Sequence, residues 1–225
     1  MPTVPVLGSA LHHRESGDPD GLPFVFLHGN PTSSHLWRDV LPSVAAPGRR
    51  LLAPDLIGMG DSGRPDLACS FDDHARHLDA WFDALGIDEA VLIGHDWGGA
   101  LAFDRAARLP GTVRGLAFTE TIFKPLVGDE FPAAGRQQLA RVEHYGSWLA
   151  SSPHVPKLLA AFEPGPGVMT DRAAVAWCEE NIAGLEVSHH GLAGHHSPED
   201  RPGELAAAIS SWADRHGPAR PGRRA

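Results

Sequence analysis

What this chain has little of narrows its function before any motif is read. Two cysteines, Cys69 and Cys178, among 225 residues make neither a disulfide framework nor a metal-ligand spacing, which suits a reducing cytoplasm. Basic residues are outnumbered, 19 against 28 acidic for a net charge of −9, and no basic stripe gathers them. Nucleic acid and anionic membrane are therefore poor partners. No uninterrupted apolar run is long enough to span a bilayer. The opening Met1-Pro2-Thr3-Val4-Pro5 lacks a basic region followed by an apolar core, so no secretory signal is expected. There is no internal repeat, and Tyr145 is the single tyrosine. The length suits one well-buried domain, expected over residues 1–216, with the Pro/Gly/Arg-rich 217–225 as a disordered tail.

What is present is an alternation of short apolar runs and helical patterns. Val4–Leu7 and Leu11–Glu15 predict an opening strand pair. Phe24-Val25-Phe26-Leu27 predicts a central strand buried on both faces. Ser33 or Ser34 then caps a helix carrying Leu36, Trp37, Val40 and Leu41. Leu51-Leu52-Ala53 predicts the next strand. Ser70 with Asp73 forms a capping box before Leu78, Trp81, Phe82 and Leu85, with Gly86 as the stop. Val91-Leu92-Ile93, an Ala-rich helix from Ala100 and a strand over Val113–Thr119 continue the series. Helices over Gln137–Ala150 and Ala173–Ile182, strands over Lys157–Phe162 and Leu185–Ser188, and a final helix carrying Leu205, Ala208, Ile209 and Trp212 complete it. Such alternation predicts an α/β fold with a mostly parallel sheet flanked by helices, and places ligands at the carboxyl ends of the strands.

The stretch Val91–Gly99 carries the chemistry. Gly94-His95-Asp96-Trp97-Gly98 has the small-x-nucleophile-x-small form of a nucleophile elbow, with Asp96 where serine usually stands. A carboxylate above a helix N-terminus stays ionised and can attack carbon to leave an ester on the enzyme. The bland alternative is that Asp96 merely caps the helix. In an elbow hydrolase the order is nucleophile, acid, histidine. Asp96, Glu120 and His195 occur in that order, each after a predicted strand, with Glu163 as a second choice of acid. His195 would activate water and Glu120 would orient His195. Gly58-Met59-Gly60-Asp61-Ser62-Gly63 matches a dinucleotide pattern, but Arg64-Pro65-Asp66 interrupts where the helix should begin, so it reads as a plain loop. The histidines at 189, 190, 195 and 196 lack a carboxylate or cysteine at ligand spacing, so neither metal nor cofactor is expected.

Across these motifs the chain resembles the haloalkane dehalogenases of the α/β-hydrolase superfamily. The likeness rests on His28-Gly29-Asn30-Pro31-Thr32-Ser33-Ser34-His35-Leu36-Trp37-Arg38, on Ala53–Ser62, on His95–Gly98, and on Val155–Leu158 with Ala161–Gly165. It implies an α/β-hydrolase core in which Asp96 is the nucleophile, Glu120 the acid and His195 the base. Asn30 and Trp97 would bind the departing halide through side-chain N–H groups, and their backbone N–H groups would form an oxyanion hole. The implied partners are a small halogenated hydrocarbon, water and the halide product. His195 rather than its neighbours fits the family's base because Glu199-Asp200 fixes the register.

One departure is large. The family inserts a helical lid between the strand ending at Glu120 and the strand starting at Lys157, and here only 35 residues separate Glu120 from Pro156. Residues 121–140 thus read as a remnant of the lid connection, with the lid domain largely deleted. A complete catalytic floor with weak turnover is expected, together with exposed apolar surface that favours self-association. Two other functions compete. Epoxide hydrolases share Gly94–Gly99 but use lid tyrosines, and a catalytically silent scaffold could bind a hydrophobic partner on its open face. A serine-type esterase is disfavoured by Asp96 itself.

Overall fold

A computed structural model describes residues 2–123, 139–164 and 169–216. Its centre is one eight-stranded sheet: β1 (Thr3–Val6), β2 (Ser9–Gly17), β3 (Leu22–Leu27), β4 (Arg49–Pro54), β5 (Ala90–Asp96), β6 (Val113–Thr121), β7 (Lys157–Pro164) and β8 (Leu185–Ala193). The spatial order is β1-β2-β4-β3-β5-β6-β7-β8. β1 and β2 form an antiparallel pair and β2 runs antiparallel to β4, whereas every pairing from β4 through β8 is parallel. The helices are α1 (Leu41–Val44), α2 (Phe71–Ala84), α3 (Trp97–Arg108), α4 (Leu139–Ser151), α5 (Arg172–Asn181), α6 (Ser197–Asp200) and α7 (Pro202–His216).

The period-2 geometry of the strands sorts the core into two layers. Val25, Leu27, Leu92, Leu116, Phe118, Leu159 and Ala161 face the layer that contains side chains of α2, α3, α4 and α5. Phe24, Phe26, Val91, Ile93, Ala117, Leu158, Ala160 and Phe162 face the opposite layer, which holds Trp37, α1 and α7. Strands covered on both faces need near-continuous apolar sequence, which is why the central runs show no polar alternation. α2 begins on the expected capping box, in which Ser70 and Asp73 bond reciprocally. Arg49 pins α7 to the sheet, donating to Asp214 at 2.5 Å and to the Val44 carbonyl at 3.0 Å.

The structure departs from expectation in several places. The helix expected after Ser33 is two short pieces, a 3-10 turn over Ser34–Trp37 capped by Ser33 and then α1. Pro42 sits in the first turn of α1, where its missing N–H is harmless, and it starts a new helix instead of continuing the old one. Leu36, Trp37, Val40 and Leu41 are buried all the same. β8 runs on to Ala193, because its pairing with β7 continues from Ala160↔Ser188 to Pro164↔Ala193. The polar His189-His190 pair does not stop it, since an edge strand keeps one side and much of its surface open. β6 likewise extends through Glu120 to Thr121. The expected lid remnant lies mostly outside the described residues, as do the expected tail at 217–225 and the first residues of the Gln137–Ala150 helix.

At the end of β7 remote from the site, Lys157 is fully buried. Its Nζ donates to the carbonyls of Ser152 at 2.6 Å, Val155 at 3.0 Å and Ala183 at 2.8 Å. One side chain thereby satisfies three main-chain acceptors. Lys157→Met would leave them without that donor, and a loss of about 3 kcal/mol is expected; urea unfolding of the two chains checks this, with an unchanged midpoint as the contrary result.

Candidate active site

The site is built where β5 turns into α3. Asp96 has φ 53° and ψ −124°, a left-handed conformation that a non-glycine residue adopts only when its surroundings hold it there. Those surroundings are backbone in close contact. A Cβ on Gly94 would lie 2.4 Å from the Gly99 Cα, and one on Gly98 would lie 2.1 Å from the Leu27 carbonyl oxygen. The glycines at 94 and 98 are required because β5, α3 and the end of β3 meet with no room for side chains. The turn lifts the Asp96 carboxylate over the β3 loop, where the Asn30 backbone N–H donates to Oδ1 at 2.9 Å. Asp96 makes no capping bond to α3, so its carboxylate is not spent on the helix end.

Glu120 reaches the same place by a second distortion. Along the β5–β6 pairing, His95 faces Thr119 while Asp96 faces Thr121, leaving Glu120 as the extra residue of a bulge. Its φ is 47°. Bulges re-aim one side chain without ending the strand, and here the re-aimed chain is a buried carboxylate. Met169 N–H donates to its Oε2 at 2.7 Å and Thr170 N–H to its Oε1 at 3.2 Å. The Thr121 hydroxyl donates to the Asp96 carbonyl at 2.6 Å, tying the residue after Glu120 to the elbow.

His195, in the loop after β8, lies between the two carboxylates. Its Nδ1 is 3.4 Å from Glu120 Oε2 and its Nε2 is 3.6 Å from Asp96 Oδ2. The Glu120 hydrogen bond, with the charges of Asp96 and Glu120, raises the His195 pKa above its ordinary value against the opposing effect of burial. The loop is held on several sides. Asp200 accepts the Gly194 N–H at 2.8 Å, Arg38 donates to Glu199 at 2.5 Å, and the Thr119 and Ser197 hydroxyls are 3.1 Å apart. Asn30 is exposed and Trp97 half-buried. The Trp97 indole packs against Phe71 and, edge to face at 5.7 Å, against His74.

All three residues of the expected triad are thus brought together, with Asn30 and Trp97 flanking Asp96. Glu163 is not part of the group. It is exposed and lines a separate cavity of about 640 Å³ between β7, β8 and α5, beside Thr170, Arg172, His189 and His190. His190 lies 3.7 Å from Glu204, and its ring is tilted against that of Phe162 at 5.0 Å. Among the described residues the one group with metal-like spacing is His12, Asp55 and Asp61. There His12 Nδ1 and Asp55 Oδ2 are already paired at 2.8 Å.

Two buried residues had no assigned role in the sequence. His28 donates from Nδ1 to the Gly29 carbonyl at 2.8 Å and accepts the Leu56 N–H on Nε2 at 2.9 Å, bracing the Asn30 loop. Asp55 accepts N–H bonds from Ser34 at 2.6 Å and Asp61 at 2.9 Å, which folds the 58–63 glycine loop onto a carboxylate. That loop closes on itself through Gly58 N–H to the Gly63 carbonyl at 2.9 Å, with no helix behind it to cradle a phosphate. Polar residues inside a motif were the available signal, but neither has the spacing of a reacting group. Tyr145 is buried, and its hydroxyl donates to the Ile122 carbonyl at 2.8 Å, so it is not free to polarise an epoxide oxygen. Exposed large apolar side chains among the described residues are Leu7, Leu67, Leu109 and Leu192.

Comparison with known proteins agrees with this architecture. The family model for the alpha/beta hydrolase fold matches residues 23–158, and the chain belongs to that family. A haloalkane dehalogenase of Bradyrhizobium diazoefficiens is 56% identical over 119 residues, and one of Mesorhizobium japonicum is 54% identical over 119 residues. Each alignment covers 53% of this chain but only 38% of the relative. Among solved structures, haloalkane dehalogenase DbeA from Bradyrhizobium elkani superposes with a TM-score of 0.84 at 31% identity, over 95% of this chain and 97% of that one. DatA from Agrobacterium tumefaciens superposes with a TM-score of 0.84 at 28% identity, over 95% and 96%. Within the α/β hydrolases, this chain groups with the haloalkane dehalogenases.

Because Glu120 is the principal cause of the raised His195 pKa, Glu120→Gln should lower the titration midpoint of His195 toward its ordinary value of about 6.5. NMR titration of labelled histidine reads this directly, and an unchanged midpoint would assign the shift elsewhere.

Proposed function

We propose that the protein hydrolyses haloalkanes to an alcohol and a halide through an ester on Asp96. The observation that carries this reading is the placement of one imidazole between a strained elbow carboxylate and a buried, amide-held carboxylate. Asn30 N–H occupies Asp96 Oδ1, so the free oxygen, Oδ2, attacks the sp³ carbon as the carbon–halogen bond breaks. The electron pair of that bond leaves with the halide, which the side-chain N–H groups of Asn30 and Trp97 receive. Neutral donors suit this task, because a cation there would pair with Asp96 and blunt it as a nucleophile.

In the second step His195 Nε2 takes a proton from water, and the resulting hydroxide adds to the Asp96 carbonyl carbon. Charge develops on the oxygen already held by the Asn30 N–H, which with the Trp97 N–H serves as the oxyanion hole. Collapse of the adduct breaks the ester bond and releases the alcohol, which takes up the proton from His195. Glu120 stabilises the imidazolium meanwhile and holds its tautomer. Two carboxylates of similar intrinsic acidity thus take different roles according to environment.

Turnover is proposed to be weak. The segment between Glu120 and Pro156 is too short for a full lid, so water competes for the halide donors. A hydrogen bond to a charged group is worth about 1.5–3 kcal/mol, and two such bonds correspond to roughly two to four powers of ten in rate. Incubation with a bromoalkane should release halide slowly. His195→Gln should release at most one equivalent and carry an alkyl adduct on Asp96 by mass spectrometry. Halide and adduct absent from both proteins would instead favour a silent scaffold.

The pH dependence follows from the base. His195 accepts a proton only when neutral, and its pKa lies above the ordinary 6.5. Ester hydrolysis is therefore expected to fall on acidification as His195 takes up its proton, while ester formation, which does not use His195 as a base, should lack that limb. Single-turnover measurements of the two steps check this, and a common acid limb would contradict it.

A further inference from the structure

The residue directly before the nucleophile, His95, takes no part in the steps above. We propose that His95 is a positioning residue for the general base, holding the His195 main chain so that the His195 ring stays between Asp96 and Glu120. Its Nε2 lies 2.7 Å from the His195 carbonyl oxygen. A carbonyl only accepts, so the His95 proton must sit on Nε2, leaving Nδ1 bare. That Nδ1 is buried without a hydrogen-bond partner among the described residues, so the ring's single polar contact is its hold on His195.

The arrangement of strands explains the need for a hold. His195 follows β8, which pairs with β7 and is the edge of the sheet. Its side-chain contacts to Asp96 and Glu120 are long, at 3.6 and 3.4 Å, whereas the main-chain contact from His95 is short. His95 belongs to β5, flanked by β3 and β6 and buried throughout. Nucleophile and grip are therefore consecutive residues of a rigid central strand, and one peptide unit fixes the distance between them.

His95 is also electrically suited to the place. Its ring lies 4.8 Å from that of His195 and 6.0 Å from that of His196, and a cation there would oppose the imidazolium that forms on His195. Burial, reinforced by the neighbouring His195 and His196 and only partly offset by Glu120 and the carbonyl hydrogen bond, pushes the His95 pKa down to about 4. The ring thus donates without adding charge.

The catalytic side of this inference rests on the haloalkane reading; the geometric side does not. The test uses the full chain with labelled histidine, the His195 resonances being assigned by their loss in His195→Gln. In His95→Leu the His195 midpoint should fall toward its ordinary value of about 6.5. His95→Gln, whose amide nitrogen reaches as far as Nε2, should keep the parent midpoint, whereas the shorter His95→Asn should behave like the Leu variant. A midpoint unchanged in Leu and Asn, or Gln and Asn behaving alike, overturns the proposal. With a bromoalkane, alkylated Asp96 should accumulate in Leu and Asn but not in Gln, and equal slowing of both steps again overturns it. If the parent chain forms no ester, the haloalkane reading fails while the titration still decides the role of His95.

Discussion

A carboxylate held in a left-handed backbone conformation, at the point where three main chains cross, is the constraint that the rest of this structure accommodates. Asp96 at φ 53° costs about 1–3 kcal/mol, and that cost is met only because neighbouring backbones leave no relaxed alternative. Gly94 and Gly99 touch across the turn, Gly98 lies on the Leu27 carbonyl, and a Cβ on Gly29 would strike the Asp96 carboxylate itself. Each absent side chain lets β3, β5 and α3 approach closely enough to aim one carboxylate at a fixed spot. The loop after β3 must then lie over the elbow, and it does so braced by His28 and Asp55.

Around that point, environment divides labour between groups of similar chemistry. Glu120 is 2% exposed and accepts two backbone N–H bonds; Asp96 is 8% exposed and accepts one. Two donors and deeper burial hold the Glu120 carboxylate in place, suited to orienting an imidazole. One donor leaves Asp96 an uncommitted oxygen, suited to attack. The histidines divide in the same way. His195 touches two carboxylates and is drawn toward its charged form, whereas His95 and His28 are buried against carbonyl oxygens and kept neutral. Charge in this site is thus placed by desolvation and hydrogen bonding, with no cation other than His195 in contact with either carboxylate among the described residues.

Much of this could be read from sequence, for identifiable reasons. The central strands show themselves as unbroken apolar runs, because both their faces are covered. The elbow shows itself because close backbone contact demands glycine at fixed offsets from Asp96, and chain order then singles out Glu120 and His195. Other features leave no such trace. The Glu120 bulge depends on a register shift against β5 that no local pattern encodes, so the strand reads as ending at Thr119, two residues early. The full length of β8 comes from pairing with β7, while its own sequence at His189-His190 reads as loop. The choice of Glu120 over Glu163 is likewise tertiary: both follow strands, and only the bulge turns one of them toward His195. The roles of His28 and His95 depend on tautomers, which the Gly29 carbonyl and the Leu56 amide decide for one and the His195 carbonyl, distant in sequence, for the other.

The contacts that hold the site also separate two requirements that a lid would otherwise merge. The described anchors come from the β3 loop at Asn30, from His95 and Thr121 on β5 and β6, from Met169 and Thr170, and from the Gly194–Asp200 turn. All of these belong to the sheet or to its immediate connections. Geometry of attack, orientation of the base and placement of the oxyanion donor are therefore properties of the α/β core itself. What a roof adds is exclusion of water, which strengthens the same hydrogen bonds without moving them. A chain with a short connection after Glu120 can keep the first and lose the second. In the proposed mechanism, bond formation at Asp96 depends on a halide leaving into N–H donors that water can also occupy, so a reduced roof would affect it most. Hydrolysis of the proposed ester needs water in any case and would depend chiefly on the hold on His195, so a reduced roof would affect it least. On that proposal the slow step would shift toward alkylation, and the weakness of such a core would lie in receiving the halide rather than in freeing the enzyme.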